Sequence, residues 1–116
     1  FPNVWARTMR DDESRVLAGS SHRVVAVDDD AGRVVGFVTA ISDGVLCAYI
    51  PLLEVRPSYQ RRGIGTALMR RLLDGVGDFY SIDLMCDVDK QPFYARFGME
   101  PSTGMLGRNY ERQAGR

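Results

Sequence analysis

A chain of 116 residues has room for one domain and little more. Lys+Arg and Asp+Glu both number 15, so it carries no net charge and lacks the basic footprint of a nucleic-acid or anionic-membrane binder. Its hydrophobic fraction of 45% supports a core of modest size, while no apolar run approaches the ~20 residues that a membrane helix needs.

The chain opens at Phe1 rather than Met, and nothing there resembles a signal peptide. A soluble, reducing, cytoplasmic setting is therefore the expectation. Cys47 and Cys86 each lie in an apolar run, which predicts free, buried cysteines acting as small hydrophobes, with a disulfide or a reactive thiol as the alternative. One His and two distant Cys make no usual metal-ligand set, so no metal is expected.

In chain order, residues 8–18 place helix-tolerant polar residues around Val16 and Leu17 and predict a helix, making 1–21 a helical N-terminal part. Three strand-like runs follow at 22–27, 33–41 and 45–55. Asp28-Asp29-Asp30-Ala31-Gly32, Ser42-Asp43-Gly44 and Arg56-Pro57 end them, and such punctuation between β-branched runs predicts an antiparallel meander. From Gly63 the period changes. Ile64, Leu68 and Leu72 recur every fourth residue, Ala67 and Leu73 widen the stripe, and Gly75 and Gly77 mark the end of an amphipathic helix.

Residues 79–86 read as another strand, 91–97 as a short helix stopped by Gly98, and 105–110 as a last strand before a frayed tail at 111–116. The order predicts a single α+β or mixed α/β domain over 1–116. The passage 45–86 is long enough for a parallel crossover.

Chemistry concentrates in Val55-Arg56-Pro57-Ser58-Tyr59-Gln60-Arg61-Arg62-Gly63-Ile64-Gly65-Thr66. A strand ends, a Pro-containing turn follows, and two glycines separated by one residue open a helix. The first turn of a helix has N–H groups without intrahelical acceptors and the positive end of the macrodipole. Gly63 and Gly65, lacking Cβ atoms, let a bulky anion come close, Arg61 and Arg62 add charge, and Thr66 adds a hydroxyl. Such a turn can cradle a pyrophosphate; equally, Gly-x-Gly can serve packing and the arginines can be merely solvated. A P-loop is excluded because its Lys is missing. A dinucleotide fingerprint is disfavoured by Leu68 at its third glycine and by the residues between strand and first glycine. Asp83 falls where that fingerprint's ribose-binding acid would, but Ser81-Ile82-Asp83-Leu84 reads more simply as a half-exposed strand.

Gln60-Arg61-Arg62-Gly63-Ile64-Gly65 resembles the Gln/Arg-x-x-Gly-x-Gly/Ala signature of the GNAT N-acetyltransferase superfamily, here after a strand ending in Leu53-Glu54-Val55. Further on, Pro92-Phe93-Tyr94-Ala95-Arg96-Phe97-Gly98-Met99 is similar to the family's Phe-Tyr-x-x-x-Gly-Phe segment, with Met99 in place of the usual Phe. The resemblance spans about residues 22–110 and implies a GNAT-like single domain, a mixed, mostly antiparallel sheet flanked by helices. Much of the family's first strand and helix is expected to be missing.

The resemblance also implies roles. Acetyl-CoA becomes the cosubstrate, its pyrophosphate held by the signature Gln60, Arg61, Arg62, Gly63, Gly65 and Thr66, and its pantetheine arm by the backbone of Leu53 and Val55. Tyr94 becomes the acid for the departing thiolate, with core packing as the alternative, and the Val55 N–H an oxyanion donor. The acceptor is a primary amine on a small molecule or peptide, attacked directly. Since an alkylamine of pKa ~10 is mostly cationic at neutral pH, a base is required. Glu54 is the leading candidate, or else a surface strand residue; Asp87 and Asp89 are others, or else a solvated turn. His22 is expected to be structural, and Arg108-Asn109-Tyr110 to border the acceptor. Neither nucleic acid nor membrane is an expected partner, and a homodimer is the family's habit. The rival reading is a CoA-binding regulatory or interaction module without turnover.

Overall fold

The computed structural model describes residues 13–113. They form two compact units that divide after Met85.

The first unit opens with helix α1 (Glu13–Gly19); the rest of the predicted N-terminal helical part, residues 1–12, lies outside the described residues. Strands β1 (His22–Asp28), β2 (Arg33–Ser42) and β3 (Cys47–Val55) follow, then helix α2 (Ile64–Val76) and strand β4 (Ser81–Leu84). The sheet order is β1-β2-β3-β4, antiparallel in its first two pairings and parallel in the last. The predicted meander and parallel crossover are thus both present.

Aspartates build the two hairpin turns. Asp28 Oδ1 accepts from the amides of Asp30 and Ala31 at 3.0 and 3.2 Å, and Gly32 closes the turn at φ +64°. Asp43 Oδ1 accepts from three amides, Val45, Leu46 and Cys47, at 2.9, 2.8 and 3.2 Å. That capture holds Val45 and Leu46 in the turn, so β3 starts at Cys47 rather than at Val45.

Central strand β2 supplies most of the core through Val35, Phe37, Val38 and Ala40, with Thr39 buried among them. Helix α2 packs on β1, β2 and β3 and buries Leu68, Met69, Leu72 and Val76. This stripe is rotated from the predicted one, because Met69 and Val76 are buried while Ala67 is exposed. Gly77, at φ +86°, caps the helix by donating its amide to the Leu73 carbonyl. Gly75 lies inside the helix and does not end it.

The register of β3 has a consequence for the site. Thr39 pairs with Leu52 but Ile41 with Tyr49, so β3 carries one more residue than β2 over this interval. Such a bulge bends the strand and reverses which side chains face which way. Pairing with β4 runs from Cys47↔Ser81 to Ile50↔Leu84 and ends at the bulge. The strand predicted over 79–86 is accordingly cut to Ser81–Leu84.

The cysteines correct the sequence reading: both are free and exposed. At Cys47 the reason is strand alternation, which buries Ala48 and Ile50 and turns Cys47 the other way. Its thiol is pushed up, first by desolvation and then by Asp43, which favours the protonated form.

In the second unit, a 3₁₀ turn (Val88–Lys90) leads into helix α3 (Gln91–Ala95). The predicted helix 91–97 is shorter as an α-helix because the amides of Arg96, Phe97 and Gly98 bond three residues back, to Phe93, Tyr94 and Ala95. Gly98 then turns the chain at φ +82°. The strand predicted over 105–110 is absent. Met105 is 98% exposed, and residues 101–109 join no ladder, so its apolar side chains have no sheet face to cover. A 3₁₀ turn (Tyr110–Arg112) follows, its first turn closed by Asn109 Oδ1 accepting from the Glu111 amide at 3.2 Å. Of the tail predicted over 111–116, residues 114–116 lie outside the described residues.

Candidate functional site

Beyond Ile50, strand β3 keeps β2 on one side and, among the described residues, has no strand partner on the other. The Arg56 amide donates to the Val35 carbonyl at 2.8 Å. In an antiparallel ladder alternate residues turn both N–H and C=O the same way. Leu52, Glu54 and Arg56 therefore bond towards β2, whereas Leu53 and Val55 turn their backbone groups to the open edge. Gln60 Nε2 donates to the Val55 carbonyl at 2.9 Å. What the edge presents is the Leu53 N–H and C=O and the Val55 N–H.

The signature turn continues from that edge. Residues Pro57–Tyr59 make a 3₁₀ turn, in which the Tyr59 amide donates to the Arg56 carbonyl at 2.8 Å. Arg61 then adopts φ +64° and Gly63 φ +82°. For Arg61, a side-chain-bearing residue, this left-handed conformation costs about 1–2 kcal/mol. At Gly63 a Cβ would meet nothing within 4 Å, so its glycine is required by backbone conformation and not by crowding within the chain. Helix α2 begins directly after it, and the first intrahelical bond runs from the Ala67 amide to the Gly63 carbonyl at 3.1 Å. The amides of residues 63–66 lie ahead of that bond, at the positive end of the helix.

The arginines behave less simply than predicted. Arg62 folds back over its own turn, donating from Nη2 to the Ser58 carbonyl at 3.1 Å with its guanidinium 5.0 Å from the Tyr59 ring centre. Its charge thus stays beside the turn at a fixed place. Arg56 is structural, donating from Nε to the Val34 carbonyl at 3.1 Å.

Leu53, Val55, Gln60, Arg61, Arg62, Gly63, Gly65 and Thr66 form one continuous path from the open strand edge to the helix start. Glu54, half-buried, pairs with Phe37 and points to the sheet face away from α2. The opposite face is identified by Gly36, where a Cβ would approach Leu68 Cδ1 and Val55 Cγ2, both at 3.3 Å.

Tyr94 belongs to the second unit. It is half-buried, its ring edge-to-face with Phe93 at 5.0 Å, and burial first, then Cys86, pushes its phenol above the ordinary value of 10.0. Phe93 also meets Phe97 edge-to-face at 5.4 Å. Asp87, Asp89, Arg108, Asn109 and Tyr110 are exposed, and His22 is half-buried at the head of β1.

Sequence reasoning missed Tyr59, Asp28 and Gly36. Tyr59 donates its hydroxyl to Asp28 Oδ2, and its ring carries Arg33 at 5.8 Å as well as Arg62. The available signal was a tyrosine immediately before the signature and an aspartate opening the turn, read only as punctuation. Among the described residues, no helix is long and apolar enough to cross a membrane, and no three His, Cys, Asp or Glu side chains group as a metal would need.

The mixed four-stranded sheet with its flanking helices is a fold shared with solved acetyltransferase structures. Residues 1–99 match the model of the acetyltransferase (GNAT) family, and the chain belongs to that family. It is 33% identical over 100 residues to the chloroplastic GCN5-related N-acetyltransferase 3 of Arabidopsis thaliana, covering 84% of this chain and 41% of the relative. It is 30% identical over 98 residues to the uncharacterised N-acetyltransferase YafP of Escherichia coli strain K12, covering 84% and 58%. The chain therefore spans less than two thirds of either curated relative. Among solved structures, a candidate acetyltransferase from Deinococcus radiodurans R1 superposes with TM-score 0.82 at 47% identity, covering 86% of this chain and 69% of that one. A GNAT family acetyltransferase from Streptococcus pneumoniae TIGR4 gives TM-score 0.71 at 33% identity, covering 82% and 76%.

Proposed function

We propose that this chain takes acetyl-CoA along the open edge of β3 and the turn that opens α2, and transfers the acetyl group to a primary amine by direct attack. One observation carries the reading. The parting of β3 from β4 after Ile50 and Leu84 leads, without a break in the chain, into the left-handed turn at Arg61 and Gly63.

The residues fit such a cosubstrate. An amide-bearing arm can add to the edge at Leu53 and Val55 as a further strand would. A pyrophosphate fits the amides of residues 61–66, because Gly63 offers no Cβ and the helix dipole favours an anion there. When bound, acetyl-CoA supplies an activated thioester. Gln60 and Arg62 hold the turn, through the Val55 and Ser58 carbonyls respectively. The Val55 N–H is the donor for the oxyanion that forms as the carbonyl is attacked. Glu54 accepts a proton from the amine or orients it, and Tyr94, whose raised pKa keeps it a phenol, donates a proton to the leaving sulfur. The acceptor is a small-molecule or peptide amine, a cytoplasmic setting is part of the same reading, and the homodimer rests on the pattern of the family alone.

The test is calorimetric titration with acetyl-CoA and, in parallel, NAD and ATP. Selective binding of acetyl-CoA that weakens in Arg62→Ala is the expected result. No binding of acetyl-CoA to the folded protein defeats the reading.

A further inference from the structure

The signature turn is held together by local bonds, is anchored at its start by the bonds of Arg56 to Val34 and Val35, and is tied further along by Tyr59. The Tyr59 amide reaches Arg56, the Gln60 amide reaches Pro57, the Gln60 side chain reaches Val55 and the Arg62 side chain reaches Ser58. All of these close within residues 55–62. Tyr59 Oη instead leaves the segment and donates to Asp28 Oδ2, at the tip of the β1–β2 hairpin.

The receiving carboxylate is fixed in place. Asp28 Oδ1 already accepts from Asp30 and Ala31, and the Asp28 carbonyl accepts from the Gly32 amide at 2.8 Å, so Oδ2 has a set direction. Arg33, at the other end of the same hairpin turn, lies 5.8 Å from the Tyr59 ring centre, and Arg62 lies 5.0 Å from it. The half-buried ring thus meets cations from both the hairpin and the signature turn. A turn that places Arg61 at φ +64° has to be held there by its surroundings, since the isolated residue disfavours that conformation.

We infer that Tyr59, tied to Asp28 and flanked by Arg33 and Arg62, is a positioning residue that holds the signature turn in its ligand-ready conformation from the β1–β2 hairpin. It acts through the turn and not on the reacting atoms, and its effect on acetyl-CoA rests on the function proposed above. The hairpin thereby becomes part of the binding site although it supplies no group to the cosubstrate.

Tyr59→Phe removes the hydroxyl and keeps the ring over which both arginines lie. Hydrogen exchange of the ligand-free protein is the first readout. Amides of residues 59–67 are expected to exchange about fivefold faster in Tyr59→Phe, with those of residues 69–76 unchanged. The second readout is affinity, in which Kd for acetyl-CoA rises about fivefold while kcat at saturation stays within about twofold. In an Asp28→Ala background the Tyr59→Phe change should then add nothing, because the tie is already gone.

Unchanged exchange in Tyr59→Phe overturns the tie. Faster exchange with unaltered Kd overturns the positioning role, as does a fall in kcat without a change in Kd. If the wild-type protein binds no acetyl-CoA, the proposed function falls instead, and the exchange readout still decides whether the tie holds the turn.

Discussion

Ile50 and Leu84 face each other across the last rung that β3 and β4 share. Past that rung β3 has a bulge behind it, β2 on one flank and an open edge on the other. The alternation of the strand then divides its residues into those that hold the sheet and those available to a ligand.

That division is testable with proline, which removes one N–H. Leu53→Pro deletes a donor on the open edge and leaves the bonds of Glu54 and Arg56 to β2 intact. The protein is expected to fold and to bind acetyl-CoA about tenfold more weakly. Glu54→Pro deletes a donor towards Phe37 and should cost about 2–3 kcal/mol of stability. Circular dichroism with urea titration separates the two; equal loss of stability at both positions means the edge assignment is wrong.

Gly36 and Gly63 are glycines for different reasons, and alanine distinguishes them. At Gly36 a Cβ would stand 3.0 Å from the Glu54 carbonyl oxygen and 3.3 Å from Leu68 Cδ1 and Val55 Cγ2, where β2 lies under α2. Gly36→Ala therefore overpacks the core and should cost about 1–3 kcal/mol. At Gly63 there is space but φ is +82°, so Gly63→Ala pays only backbone strain of about 1 kcal/mol while disturbing the amides of the turn. Urea denaturation should rank Gly36→Ala as the less stable variant, and acetyl-CoA titration should rank Gly63→Ala as the weaker binder.

The meander, the crossover helix and the signature turn were legible because each has local chemistry: Asp and Gly turns, a four-residue apolar step, and Gly-x-Gly at a helix start. The rotation of α2 was not legible. Whether Met69 or Ala67 faces the sheet depends on where the helix docks, and both fit a helical stripe. The bulge in β3 was also invisible, since it exists only as a mismatch between two strands, Thr39 with Leu52 and Ile41 with Tyr49. The predicted strand at 105–110 failed for a related reason. Met105, Leu106 and Tyr110 have the composition of a strand, but a strand needs a partner ladder, and none is paired with them among the described residues. Tyr59 escaped because its value lies in Asp28, far away in the chain.

Asp43 makes the β2–β3 turn acid-sensitive in a definite window. Its carboxyl is lowered from 3.8 to about 2, chiefly by the amides of Val45, then Leu46 and Cys47. A group depressed in the folded state stabilises that state above its unfolded value and loses the contribution as pH falls through its folded value. The turn should therefore be intact above pH 3.8 and weaken towards pH 2. Asp28 acts in the same direction, lowered first by Tyr59 and then by the Ala31 amide. The check is an NMR titration of the Asp43 carboxyl with a midpoint near about 2. Asp43→Ala should lose this titration and show a flatter stability profile in the same acid range.

Tyr94 supplies the sharpest test of turnover against mere binding. Tyr94→Phe keeps the aromatic edge against Phe93 at 5.0 Å and removes only the hydroxyl. A general acid is worth at least ~100-fold, so kcat should fall by about that factor while acetyl-CoA affinity stays within about twofold. The pH profile gives an independent sign. Burial raises the phenol above 10.0, so the donor form is fully present at neutral pH and is lost only as pH rises through a value higher than that of ordinary tyrosine. The wild-type kcat profile should accordingly have an alkaline limb that Tyr94→Phe lacks. Unchanged kcat in Tyr94→Phe, together with an unchanged alkaline limb, would reduce Tyr94 to a packing partner of Phe93 and move the search for the acid elsewhere.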